Sequence, residues 1–145
     1  MQDEIVKFDI AKLAKEKGFD LDVNCTWDTY KGELLVDTPT YNESKHNWNI
    51  YPDGHSAPTQ SLLQRWLREE HNIYISVSVG YMTHDGELRV VFESWLSWVD
   101  DKGAFDETDV ILTHSKDNKY GVDYYELTYE EALEQSLIEA LKLIK

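Results

Sequence analysis

Residues 73–99 read IYISVSVGYMTHDGELRVVFESWLSWV, and this stretch decides the fold. Ile73, Ile75, Val77, Val79 and Tyr81 alternate with Tyr74, Ser76, Ser78, Gly80 and Met82, the period of two that sends successive side chains to opposite faces of a strand. Asp85-Gly86 is a strong hairpin signal, because a type I′ turn needs positive φ at both central residues. Pairing outward from it sets His84 opposite Glu87, Tyr81 opposite Val90, Val79 opposite Phe92, Val77 opposite Ser94 and Ile75 opposite Leu96. In this register one face is apolar over its whole length, so the whole face is expected to be core. The other face carries Tyr74, Met82, Val91, Trp95 and Val99 among Ser76, Ser78, Arg89 and Glu93. A face meant only for water would hold fewer large apolar groups, so either residues 103–127 cover it or a partner does.

The flanking segments supply helices and a second hairpin. Leu62, Leu63, Trp66 and Leu67 share one face of a helix predicted over 58–71, with Pro58 in its first turn and Ser56 as its cap. Thr128 and Glu131 make a capping box before the stripe Leu133, Leu137, Ala140, Leu141 and Ile144. Near the N-terminus a helix is predicted from 9 or 10 to 17. Asp9 is its N-cap, Gly18 its left-handed terminator, and Phe19 folds back on Ala14. Residues 23–30 and 33–37 alternate around Lys31-Gly32 and read as a first hairpin. Residues 39–57 form a long loop, and 100–119 an acidic loop with a short strand at 110–113; another short strand falls at 122–127. The resulting order is α-β-β-α-β-β-(β)-α. It makes a single α+β domain over 1–145, in two layers: an antiparallel sheet of about four to six strands, with about three helices on one side.

Composition narrows the function classes. The 145 residues include 28 acids and 14 bases, a formal net charge of −14, with 41% hydrophobic and 12% aromatic residues. That is too apolar for a disordered acidic tail. A polyanion would be repelled, so direct nucleic-acid binding is disfavoured. Arg65 and Arg68 share their helix with Glu69 and Glu70 and read as a solvated face. The single cysteine, Cys25, excludes an internal disulfide and a cysteine-built zinc site. No apolar run approaches the roughly 20 residues of a membrane span, so a soluble, cytoplasmic protein is expected.

Candidate sites fall in two places. In the long loop, Trp48, Tyr51, Asp53, His55 and Ser56 are brought to the start of a helix, where free amides can hold an anion. Three such residues adjacent in sequence rarely form a catalytic triad, so capping is the competing reading and no catalytic residue is assigned. On the hairpin's second face and just beyond it, Tyr74, Met82, Val91, Trp95, Asp100 and Asp101 are candidates for contacting a protein. The acidic run 100–107 lacks the ligand spacing of a calcium loop, and the five histidines lack paired metal-ligand spacing; no metal or cofactor is expected.

Residues 57–69, APTQSLLQRWLRE, with the extended Asn72-Ile73-Tyr74-Ile75 after them, resemble a family of small uncharacterised proteins of phages, prophages and mobile elements of gut bacteria. So does the ending YEEALEQSLIEALKLI at 129–144. The resemblance implies a genetic context and carries no chemistry. From residue 58 onward, α-β-β-β-α is also similar to a double-stranded-RNA-binding domain. Such domains need a basic start to their last helix, where this chain has Glu130-Glu131.

Three functions compete on these grounds. The first is a non-enzymatic acidic protein that binds a neutral or basic protein partner through the hairpin's second face. The second is a small-ligand or nucleotide-binding protein, or weak enzyme, built on the 41–60 loop. The third is a structural homo-oligomer, with that hairpin face buried at a two-fold.

Overall fold

The computed structural model describes residues 4–36, 46–84, 86–110 and 128–145. In chain order these form helix α1 (Phe8–Glu16), strands β1 (Cys25–Trp27) and β2 (Leu34–Val36), a 3-10 turn (Trp48–Ile50) and strand β3 (His55–Ser56). Helix α2 (Gln60–His71), strands β4 (Ile73–His84), β5 (Glu87–Val99) and β6 (Phe105–Val110), and helix α3 (Tyr129–Leu143) follow. The fold is α+β with antiparallel strands, in roughly the order the sequence implies. The described strands divide into two three-stranded sheets, β2-β1-β3 and β4-β5-β6, instead of one sheet. The cause lies in the long loop, whose end folds back as β3. Trp27 then faces His55, and Thr26 faces Ser56, along the remaining edge of β1.

The β4–β5 pairing follows the predicted register over its full length, from Ile73 opposite Trp98 to His84 opposite Glu87. Helix α3 lies across the first face. Leu133, Leu137 and Leu141 join Ile73, Leu96 and Val110 in one core with Leu63, Trp66 and Leu67 of α2 and Ile10 and Ala14 of α1. Within it, Ser136 Oγ donates to the Ala132 carbonyl at 2.7 Å and lies 2.5 Å from Ser94 Oγ, so Ser94 donates to Ser136. Both hydroxyls are satisfied.

The expectation that this face is core throughout is corrected. Val79, Tyr81, Leu88 and Val90 are 54%, 67%, 71% and 57% exposed. Helix α3 begins at Tyr129, whose ring meets Phe92 edge-on at 6.0 Å, and the described helices do not reach further. Length explains the shortfall: 12 strand residues in β4 span about 40 Å, whereas the 15 residues of α3 span about 22 Å. The distal hairpin is therefore an arm with an apolar, uncharged underside.

Further corrections concern the starts of α2 and α1 and the segment 105–110. Helix α2 is capped by Thr59, whose side chain accepts from Leu62 N. Ser56 is too far upstream, and Pro58 precedes the cap with its carbonyl accepting from Val6 N at 3.0 Å. Helix α1 starts two residues earlier than Asp9 capping would allow. Its N-cap is Lys7, without a side-chain cap bond, because Phe8 is needed between Trp27 and His55. The other end is as read: Gly18 has φ +89°, and Phe19 N bonds back to Ala14 O at 3.0 Å. Residues 105–110, expected as acidic loop, are strand β6, paired to β5 from Val99–Phe105 to Ser94–Val110. The α3 capping box forms as predicted. Of the strand predicted at 110–113 only Val110 is described, as the end of β6; its remainder and the strand predicted at 122–127 lie outside the described residues. No described helix is long and apolar enough to cross a membrane.

Candidate functional site

The loop candidates are brought together, but chiefly to one another. Residues 51–54 curl around the ammonium of Lys15, near the end of α1, which donates to the carbonyls of Tyr51, Pro52 and Gly54 at 2.7, 2.8 and 2.6 Å. The rings of Trp48 and Tyr51 gather with His46, which stacks on Tyr51 at 5.7 Å and meets Trp48 edge-on at 4.9 Å. Trp48 Nε1 is buried without a hydrogen-bond partner among the described residues. Asp53 contributes its backbone carbonyl, accepting from Thr29 Oγ1 at 2.5 Å.

His55 and Ser56 are neighbours on a strand and so point opposite ways. His55 is buried, its Nδ1 3.3 Å from Thr29 Oγ1 and its ring 5.3 Å from that of Phe8. Burial pushes its imidazole below the ordinary 6.5, and the charge on Lys15 pushes the same way. Ser56 is fully buried; its Oγ accepts from Trp48 N at 3.0 Å, and its own N–H donates to Asn49 Oδ1 at 2.9 Å. These bonds use the polar atoms of Ser56 inside the fold. Asp, His and Ser do not converge on a common point, so the arrangement is that of a braced loop.

The second candidate surface is the face of β4-β5-β6 opposite α3. Strand pairing places Tyr74, Ser76, Ser78 and Gly80 of β4, then Glu93, Trp95, Ser97 and Val99 of β5, then Phe105, Glu107 and Asp109 of β6 on this side. Tyr74, Trp95, Val99 and Phe105 are 44%, 37%, 38% and 65% exposed. Trp95 sits at the centre, directly opposite Ser76 on one side and Asp109 on the other. The carboxylates of Glu93, Glu107 and Asp109 form no ion pair with any described residue. A side chain at Gly80 would stand 2.7 Å from Glu93 Oε1, so the Glu93 carboxylate lies flat across β4 where the glycine leaves room.

Of the six residues predicted for this surface, Tyr74 and Trp95 present themselves to solvent, while Val91 is buried at 6% exposure. The side chain of Met82 lies outside the described residues. Asp100 is exposed but occupied: Oδ1 accepts from Lys102 N and Ala104 N, both at 2.8 Å, closing the β5–β6 turn. Asp101 is exposed in the same turn. The residues sequence reasoning missed are Phe105, Glu107 and Asp109. Their alternation with Asp106, Thr108 and Val110 is a strand signal, masked by four acids between 100 and 107.

Among the described residues no three His, Cys, Asp or Glu side chains are grouped to hold a metal ion. Comparison of the chain with protein-family models, with curated proteins and with solved structures gives no match.

Proposed function

We propose that the protein is a non-enzymatic interaction module that binds a neutral or basic protein partner on the outer face of β4-β5-β6. One observation carries this reading: Tyr74, Trp95, Val99 and Phe105 stay exposed on a sheet face beside three carboxylates that form no ion pair with a described residue. Apolar area of this kind favours association when covered, by about 25 cal/mol per Å² before the costs of binding. Aromatic rings are the groups that most often anchor interfaces. The resemblance of the 57–69 and 129–144 segments to small phage and mobile-element proteins supplies the setting, with a host or element-encoded protein as the partner.

Photo-crosslinking tests the reading. A benzophenone side chain at position 74 or 105, in native cells, should give a discrete adduct that one at Arg65 on the outer face of α2 does not. Trp95→Asp should remove that adduct while the circular dichroism spectrum is retained. Adducts no different from those at position 65 would refute the assignment.

One observation favours a second reading, a homodimer. The underside of the arm, with Val79, Tyr81, Leu88 and Val90, is exposed and carries no charge, so two strongly acidic chains can meet there without like-charge contact. Sedimentation at twice the chain mass, reverting to one on Leu88→Lys, supports it; a monomer at micromolar concentration sinks it.

A further inference from the structure

Resting on the interaction module above, we propose that the occupant of the outer sheet face is an extended, arginine-rich segment, with one guanidinium seated on the Trp95 ring. The ring is 37% exposed at the centre of the face. Its direct cross-strand neighbour on β6 is Asp109, and Glu107 is the diagonal neighbour, opposite Ser97. Glu93 precedes it by two residues on β5, on the same face. Direct and diagonal cross-strand neighbours lie within about 8 Å of one another, so Asp109 and Glu107 flank the indole on the β6 side, while the Glu93 carboxylate lies over Gly80 further along the same face.

The three carboxylates make this stretch of the face acidic, and none forms an ion pair with a described residue. A metal ion is a poor occupant, because the carboxylates do not form a metal-binding group. They are spread along a sheet face, Glu93 on β5 and Glu107 and Asp109 on β6, which suits several cations at intervals along an extended chain. Between the two basic side chains, arginine fits better. Its planar guanidinium stacks on an aromatic face while its edge donates to carboxylates, whereas the strongly hydrated ammonium of lysine acts as a point charge. Ser76, Ser78 and Ser97 complete the floor with small hydroxyls that leave a flat track beside the indole.

The probe is a nine-residue oligoarginine peptide titrated into the full chain, with nine-residue oligolysine alongside. Indole ¹⁵N–H resonances report the contact, and that of Trp95 is identified by its loss in Trp95→Phe. The Trp95 signal should shift, with oligoarginine binding about fivefold tighter than oligolysine. E107Q/D109N should weaken binding at least about tenfold at low salt, while D20N/D22N, which removes the same charge from exposed positions elsewhere, should leave it unchanged. An unmoved Trp95 resonance, equal affinity for the two peptides, or equal loss in the two double variants overturns the proposal. Any of those results combined with a discrete crosslinked partner at position 74 would overturn the arginine-rich occupant and leave the interaction module standing.

Discussion

Lys7 and Glu134, 127 positions apart, meet at two points: Lys7 Nζ lies 2.5 Å from Glu134 Oε2, and the Lys7 backbone N–H donates to Oε1 at 3.3 Å. The contact ties the start of α1 to the middle of α3, beside the bridge that pairs Ile5 with Thr59. The carboxylate is the buried partner, at 10% side-chain exposure against 67% for the lysine.

Lys7→Met should therefore destabilise the fold through Glu134, which keeps its charge and loses its counter-ion. A charge-assisted bond to a buried group is worth about 1.5–3 kcal/mol. Exposure of the lysine brings the expected cost nearer 1 kcal/mol, read as a lower urea midpoint with an unchanged slope. The hydrogen bond that the ammonium donates to Glu134, then the charges of Glu134, Glu131 and Asp9, raise the lysine above its ordinary 10.5 against a smaller opposing effect of burial. A raised pKa stabilises the fold below the unfolded value, so the contribution should be complete below about pH 10.5 and lost as pH rises through the folded value. In Lys7→Met that alkaline loss should be smaller.

Asp100 and Asp101 are adjacent, identical in charge and different in role. Asp100 Oδ1 receives two backbone N–H groups, and the Asp100 N–H donates to Ala104 O at 2.9 Å. Asp100→Ala should cost about 1–2 kcal/mol and loosen the β5–β6 connection, visible as faster amide exchange in β6. Asp101→Ala should fall within about 0.5 kcal/mol of the parent. Equal effects of the two would remove the turn role of Asp100.

What was readable in the sequence follows how local the determining interaction is. The β4–β5 register, the α3 capping box and the Gly18–Phe19 terminator are each set by residues within a turn of one another, and each forms as read. Strand β3 was not readable. His55 and Ser56 become a strand only because β1, about thirty residues earlier, offers an edge, and two residues carry no period. Strand β6 was obscured because its polar residues outnumber its apolar ones, and Val110 alone is buried. The division of labour among the candidate residues was equally hidden. That Ser56 braces the 3-10 turn and Lys15 holds three carbonyls depends on chain segments packing together, not on spacing.

The uncovered arm predicts a contrast along one strand face. Leu88 and Leu96 sit on the same side of β5, at 71% and 1% exposure. Leu96→Ala should cost about 2–5 kcal/mol through lost burial and the cavity left among α3 and β4 residues. Leu88→Ala should change stability by no more than about 0.5 kcal/mol. Chemical denaturation of both variants checks this, and a large loss at Leu88 would mean the arm is covered in solution.

Lys15 and His55 yield a prediction in which stability and titration separate. Lys15→Met removes three short bonds from the 51–54 loop and should cost about 1–2 kcal/mol, since the freed carbonyls regain water. Lys15→Arg should not rescue it, because a planar fork cannot point at three convergent carbonyls as an ammonium can. His55 is held below 6.5 first by burial and second by Lys15, with a hydrogen bond from the imidazole to the Asp53 backbone acting oppositely. For a depressed pKa the unfolded chain takes up the proton first. The contribution is intact above about pH 6.5 and is lost as pH falls through the folded value. His71, also lowered by burial, adds a loss over the same window. Removing the Lys15 charge should raise the His55 pKa toward 6.5, so Lys15→Met should be less stable at pH 7.5 yet lose less on going to pH 5. Imidazole proton shifts followed by NMR give the pKa directly, and urea midpoints at the two pH values give the stability difference. A His55 pKa unchanged in Lys15→Met would mean that burial alone sets it.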